Sequence, residues 1–215
     1  MTNLIFDLDG TLIDSRTRLY RLFQALVPTS NLSHDAYWQF KRDGWSNQTI
    51  LAREVGVEPA AIKRFVTEWM VRIEAPEFLA LDQNIPGVHD ALDRLGGQAR
   101  LHVCTARQDR RSALEQLERH RLLDYFEAVL VTEQRLDKAA LIAAVPHLSA
   151  DDWIIGDTGK DVQTGRSLGI RTCAVLSGFL SEKKLLAYNP DIIIETAASF
   201  HFETQSEIFQ AQART

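Results

Sequence analysis

Two aspartates two residues apart, Asp7 and Asp9, stand at the end of the first apolar run, in Phe6-Asp7-Leu8-Asp9-Gly10-Thr11-Leu12. Side chains of an extended chain alternate between faces, so this spacing sends both carboxylates to one side. At an effective dielectric of about 20, two such charges about 4 Å apart repel by roughly 4 kcal/mol, so the pair calls for a cation or a shared proton. A second acidic pair, Asp157 and Asp161, follows the apolar run 153–155 in Gly156-Asp157-Thr158-Gly159-Lys160-Asp161. Asp7 and Asp9 alone offer too few ligands for an oxygen-loving cation. With Asp157 from a neighbouring strand end they make a magnesium shell, which Asp161 supports. A calcium loop does not fit, because counting from Asp7 its glycine falls on Leu12 and its bidentate Glu on Arg18.

These acids need strands to carry them. Short runs rich in Val, Ile and Leu recur at 4–8, 101–104, 128–131, 153–155, 172–176 and 192–194, and read as buried parallel strands. Amphipathic stretches alternate with them: 88–95 opens after Pro86-Gly87 and stops at Gly96-Gly97, and 110–122 carries Leu114 and Leu117 on one face. Alternating strand and helix predicts an α/β fold with a doubly wound, Rossmann-like parallel sheet. Such folds keep their ligands at the carboxyl ends of the strands, where the acids stand.

One interval breaks the alternation. From 15 to 81 only helical periodicity is found, punctuated by Pro28, Gly44, Gly56 and Pro59. It predicts an all-helical cap over 15–81, inserted into a catalytic core made of 1–14 and 82–215. Trp38, Trp45 and Trp69 fall in this interval, and Trp38 and Trp69 are expected to pack its own small core. The polar end, 204–215, is expected to fray.

Composition narrows the classes. The chain has 215 residues, 24 Lys and Arg against 29 Asp and Glu, a net charge of −5, and 45% hydrophobic residues, the balance of a globular protein. It lacks the overall basic charge of a nucleic-acid binder and any apolar run of membrane-spanning length, so neither partner is expected. The two cysteines, Cys104 and Cys173, sit inside apolar runs and read as buried thiols. With no basic stretch ahead of the first apolar run, the expected location is the cytoplasm.

Taken together, Asp7 and Asp9 in D-x-D-G-T, Thr105 in Val103-Cys104-Thr105-Ala106-Arg107, and Asp157 with Asp161 in G-D-x-x-x-D resemble the motifs of the haloacid dehalogenase superfamily, specifically its phosphoglycolate-phosphatase-like branch with a helical cap. The resemblance spans essentially the whole chain. It also calls for a lysine before the last motif, and of six lysines only Lys138 lies between Thr105 and Asp157. The common pattern has Pro after this lysine, where this chain has Ala139.

The resemblance implies a magnesium-dependent phosphatase. Asp7 would attack phosphorus to form an aspartyl-phosphate. Asp9 would serve as general acid and base and lend its backbone carbonyl to Mg2+. Thr105 and Lys138 would hold the phosphoryl oxygens. The expected substrate is a small phosphorylated metabolite of the phosphoglycolate or sugar-phosphate type, and the expected assembly a monomer or homodimer. Alternatives are a phosphomutase of the β-phosphoglucomutase type and a non-catalytic regulator that binds a phosphorylated ligand. Asp at position 9 favours ester hydrolysis over dehalogenation, whose halide leaving group needs no proton. Specificity is expected from the cap, with Trp45 in Gly44-Trp45-Ser46-Asn47-Gln48 either facing a polyol or small hydroxy acid or packing inside the cap while Ser46 and Asn47 cap the next helix, and with Arg107 as a second substrate contact.

Overall fold

The computed structural model describes residues 1–202. The polar end at 204–215 lies outside the described residues. Among the described residues, eight strands form two sheets: β1 (Thr2–Phe6), β2 (Ile13–Asp14), β3 (Gln83–Asn84), β4 (Ala99–Thr105), β5 (Ala128–Val131), β6 (Trp153–Gly156), β7 (Arg171–Val175) and β8 (Ile192–Ile194). Six of them make one parallel sheet in the order β5-β4-β1-β6-β7-β8. The chain leaves β1 at the centre, fills one side and then the other, so the order reverses between β4, β1 and β6. That switch point is where an open α/β sheet leaves a crevice at its strand ends.

Among the described residues, ten α-helices accompany the strands: α1 (Arg16–Leu26), α2 (His34–Arg42), α3 (Asn47–Ile50), α4 (Pro59–Arg72), α5 (Pro76–Leu79), α6 (Val88–Gly96), α7 (Arg110–Arg119), α8 (Lys138–Ala143), α9 (Gly159–Leu168) and α10 (Glu182–Leu186). Their starts carry the expected chemistry. Ser33 Oγ accepts from the Ala36 N–H, Ser46 Oγ from Thr49, and Asp109 from Arg111 and Ser112, while Pro59 and Pro76 open α4 and α5. Gly56 and Gly169 end their helices in the left-handed region.

The apolar faces divide into distinct cores. Leu4, Phe6, Leu101, Val103, Trp153 and Ile155 pack on one side of the sheet with Leu92, Leu95 and Leu117 from α6 and α7. Ile5, Cys104 and Ile154 face the other side with Ile142 and Ile170, and both cysteines are buried as free thiols. The helices α1 to α4, from the stretch read as helical, close around Leu19, Phe23, Tyr37, Trp38, Ile50, Leu51 and Phe65.

Two features were not in the periodicity. The two-residue strands β2 and β3 pair antiparallel, Ile13 with Asn84 and Asp14 with Gln83, at the two crossings between this helical insert and the sheet. The last turn after α3 widens into a π-helix over Leu51–Val55. The insert sits on the sheet's strand ends through contacts on both flanks. On one flank the Glu74 carboxylate accepts from the Gln108 and Asp109 N–H groups at 2.7 and 3.2 Å, and Gln108 Nε2 donates to the Met70 carbonyl at 2.9 Å. On the other, Ser181 N–H donates to the Arg42 carbonyl, Arg42 Nη1 donates to the Leu176 carbonyl, and the Trp38 and Phe179 rings lie 5.6 Å apart.

Candidate active site

β1 stops at Phe6, two residues short of the apolar run, and this changes the geometry of the first acidic pair. Asp7 extends the strand by one bond, its N–H donating to the Ile155 carbonyl at 2.8 Å, whereas Asp9 already lies in a loop. Gly10 turns that loop with φ of +82°, and a Cβ there would press against the Asp157 carboxylate at 2.5 Å. The two carboxylates therefore reach different partners, a consequence the two-residue spacing alone does not show.

Asp7 belongs to a buried acidic cluster. Asp7, Asp157 and Asp161 each bring a carboxylate oxygen within 4.8 Å of the others. Lys138, buried at the N-terminus of α8 where Asp137 caps the helix, donates at 2.6 Å to both Asp7 Oδ1 and Asp161 Oδ1. Asp161 is held beneath by the capping box of α9, accepting from Thr158 N–H and from Thr158 Oγ1 at 2.6 Å. Asp157 accepts from the Phe179 N–H at 2.6 Å through Oδ2, while its Oδ1 is buried with no hydrogen-bond partner among the described residues. Burial pushes the Asp7 carboxyl up to about 7 against the attraction of Lys138. Burial, with Asp7 and Asp161 alongside, raises Asp157 well above the ordinary carboxylate range. The same two acids hold the Lys138 ammonium well above its ordinary value, overcoming desolvation.

An orphaned oxygen in a buried cluster of three acids with one ammonium lacks positive charge. Hard oxygen donors of this kind fit magnesium. Asp7 and Asp157 would hold the ion with Asp161 behind them.

Asp9 faces the other way. Arg107 reaches it through Nε at 2.5 Å and Nη2 at 2.8 Å, and Arg18 from α1 donates to it as well. Desolvation is outweighed by the two guanidinium groups, which hold the Asp9 carboxyl well below the usual range. Behind them Asp82 lies 3.2 Å from Arg18 Nε and 3.7 Å from Arg107 Nη2, and accepts from Gln116 Nε2 at 2.5 Å. Arg18 stands in the first turn of α1 and Asp82 just before β3, beside the two crossings between insert and sheet.

A cavity of about 480 Å³ opens over these groups and is lined by Asp7, Asp9, Thr105, Arg107, Lys138 and Asp157, among others. Thr105 ends β4 and is buried. Asp161 sits under the cavity as the partner of Lys138. Trp45 does not line it: this half-buried ring packs 4.9 Å from Phe40 and under Arg53. Trp69, read as core packing, stacks 5.4 Å from Phe65 and also lines the cavity. Arg107 lines it too, committed to Asp9.

Several contributors escaped the sequence reading. Arg18, Asp82, Glu74 and Phe179 carry no motif. Gly178 was the most accessible, being a glycine just beyond an apolar strand run; a Cβ there would overlap the Asp157 carboxylate, as one on Gly156 would overlap Asp161.

A sheet with its order reversing at β1, and a lysine-bridged acid cluster at the switch, define an α/β protein with a charged site at its strand ends. Residues 4–175 match the family of haloacid dehalogenase-like hydrolases, and the chain belongs to it. Among curated proteins it is 29% identical over 203 residues to the phosphoglycolate phosphatase of Synechococcus elongatus, covering 91% of this chain and 93% of that one. The phosphoglycolate phosphatase of Agrobacterium fabrum is 24% identical over 215 residues, with 91% and 88% covered. Among solved structures, a haloacid dehalogenase-like family hydrolase from Streptococcus pneumoniae superposes with a TM-score of 0.76 at 24% identity, covering 96% and 98% of the two chains. A Thermotoga maritima protein provisionally assigned as a β-phosphoglucomutase does so at 0.65 and 20% identity, over the full length of both chains. Among the described residues no helix is long and apolar enough to cross a membrane.

Proposed function

We propose that this chain is a magnesium-dependent phosphatase acting on a small phosphorylated metabolite through an aspartyl-phosphate on Asp7, with the helices of 15–81 as its cap. The observation that carries this reading is the position of Asp7, bonded by Lys138 at 2.6 Å in a cluster where Asp157 Oδ1 is unpartnered. The phosphoglycolate phosphatases among its relatives support phosphomonoester hydrolysis.

A carboxylate and a phosphate dianion repel. When bound, magnesium supplies the positive charge that lets the two approach. Asp7 forms the bond to phosphorus as the bond to the ester oxygen breaks, and a proton from Asp9 neutralises the departing alkoxide. Asp9 then takes a proton from the water that cleaves the aspartyl-phosphate and restores Asp7. In the present arrangement Asp9 is a carboxylate gripped by Arg107 and Arg18, the form that accepts a proton, so donating one requires those guanidinium groups to loosen. Thr105 and Lys138 hold the non-bridging oxygens.

The test is phosphate release from a panel of phosphorylated metabolites with magnesium and with chelator. Release that needs the metal and is lost in Asp7→Asn is expected. Release in chelator at the same rate, or retained activity in a folded Asp7→Asn protein, would refute the reading.

A further inference from the structure

Resting on the phosphatase reading, we propose that the leaving group selected here is uncharged and presents a flat apolar face to Trp69, rather than a carboxylate or a polyol. The cavity's rim away from the acids is apolar: Leu19 from α1, Trp69, Met70 and Ile73 at the end of α4, Phe179 after β7, and Leu136 before α8. Met70 and Leu136 are 39% and 52% exposed, so apolar surface stands open to water at the place a leaving group would cover. A volume of about 480 Å³ falls in the ~300–1,000 Å³ range of sites for ligands with a ring or more.

The polar lining is spent on the protein itself. Glu74 accepts from the N–H groups of Gln108 and Asp109, Gln108 Nε2 donates to the Met70 carbonyl, and Gln134 Nε2 donates to the Ala106 carbonyl. The buried cations are spent too. Arg18 and Arg107 face Asp9 and Asp82, two charges against two. Their Nη1 atoms lack partners among the described residues, yet both are buried instead of open to the cavity. Lys138 is shared by Asp7 and Asp161, and Lys160 lies 3.4 Å from Asp137. A carboxylate on the leaving group would have to pull an arginine from Asp9 or draw the exposed Lys160 away from Asp137, and a polyol would leave hydroxyls facing Trp69 and Ile73. An apolar ring meets neither cost.

The test compares esters with matched primary-alcohol leaving groups, so that chemistry is constant: 2-phenylethyl phosphate, ethyl phosphate, glycerol phosphate and phosphoglycolate. kcat/KM for 2-phenylethyl phosphate should exceed that for ethyl phosphate and for phosphoglycolate by about tenfold or more, which is ~1.4 kcal/mol of added contact. The phenylethyl-to-ethyl ratio should fall several-fold in Trp69→Ala and persist in Trp69→Phe, and thermal melts confirm that both variants fold. By calorimetry, 2-phenylethylphosphonate should bind more tightly than ethylphosphonate, a reading that needs no turnover. Preference for phosphoglycolate or glycerol phosphate, or a ratio unmoved by Trp69→Ala, would overturn the inference and leave the phosphatase reading standing. No phosphate release from any of these esters or from p-nitrophenyl phosphate would remove both.

Discussion

The Lys138 ammonium lies 2.6 Å from Asp7 Oδ1, with Asp161 Oδ1 at the same distance on its other side. One buried cation thus holds the proposed nucleophile and anchors it to the first turn of α9. The arrangement couples charge balance to stability, and the two effects can be read apart.

Replacing Asp7 by Asn should abolish phosphate release while leaving the fold intact, because the amide has the same shape and is a poor nucleophile. Asp161 still pairs with Lys138 in this variant. Burial raises the Asp7 carboxyl to about 7, so removing its charge should not lower the melting temperature in chelator above that pH. A melt well below that of the native protein would mean that Asp7 is chiefly structural.

Lys138→Met should show the reverse. It leaves Asp7 and Asp161 buried without a counter-charge, a change that typically costs about 3–5 kcal/mol. The loss should be largest in chelator and partly recovered by magnesium, and kcat/KM should fall. Equal melting temperatures with and without magnesium would argue against a cation in this cluster.

Gly178→Ala tests Asp157 without altering any charge. The added Cβ would overlap the Asp157 carboxylate, whose Oδ2 the next residue's N–H holds at 2.6 Å. Apparent magnesium affinity should weaken at least about tenfold, and Asp157→Ala should lose metal-dependent activity altogether. Titration of activity with magnesium reads both, and an unchanged half-saturation in either would remove Asp157 from the site.

Asp82 predicts a pH dependence. Desolvation raises its carboxyl to about 6 despite Arg18. The native state therefore holds a proton between pH ~4 and 6 that the unfolded chain has released. Stability from this group is fully present below about pH 4 and is lost as pH rises towards 6. Relative to Asp82→Asn, the native protein should lose about 2–3 kcal/mol over that window and nothing further above it. Denaturant unfolding at pH 4, 5, 6 and 7 measures the difference; a constant difference would contradict the raised value.

Trp45→Ala should lower stability by about 2 kcal/mol through lost contact with Phe40 and Arg53, less than a fully buried tryptophan costs. Relative rates across a substrate panel should not change, since the ring lies outside the cavity. A shift in substrate preference would restore the specificity role expected from the loop's composition.

The sheet and the acid cluster were legible because they depend on local pattern. Each parallel strand announces itself as a short apolar run, and an acid directly after such a run cannot avoid the carboxyl edge. Lys138 was found through resemblance and its being the sole lysine in the interval. The partners of Asp9 were not legible: Arg18 lies nine residues on and Arg107 nearly a hundred, and no spacing rule connects them. Which of Trp45 and Trp69 meets the cavity was not legible either: Trp45 does not line it, whereas Trp69 packs against Phe65 as its periodicity indicates and lines the cavity as well. Loop composition favoured the first and helical periodicity made the second a core residue, but which ring meets the cavity depends on how α4 leans over the strand ends.

By itself, the sequence determined an α/β parallel sheet, a helical insert after the first strand, and carboxylates at two neighbouring strand ends. Those features follow from backbone periodicity and from the cost of burying polar groups anywhere but at an edge. Only the tertiary structure decided that Asp7 and Asp9 part company at Phe6, that Gly10 and Gly178 leave room for Asp157, and that Arg18 and Asp82 close a charge network where the insert joins the sheet. Each of these is a contact between segments far apart in the chain, set by packing angles and by the space that a missing side chain leaves.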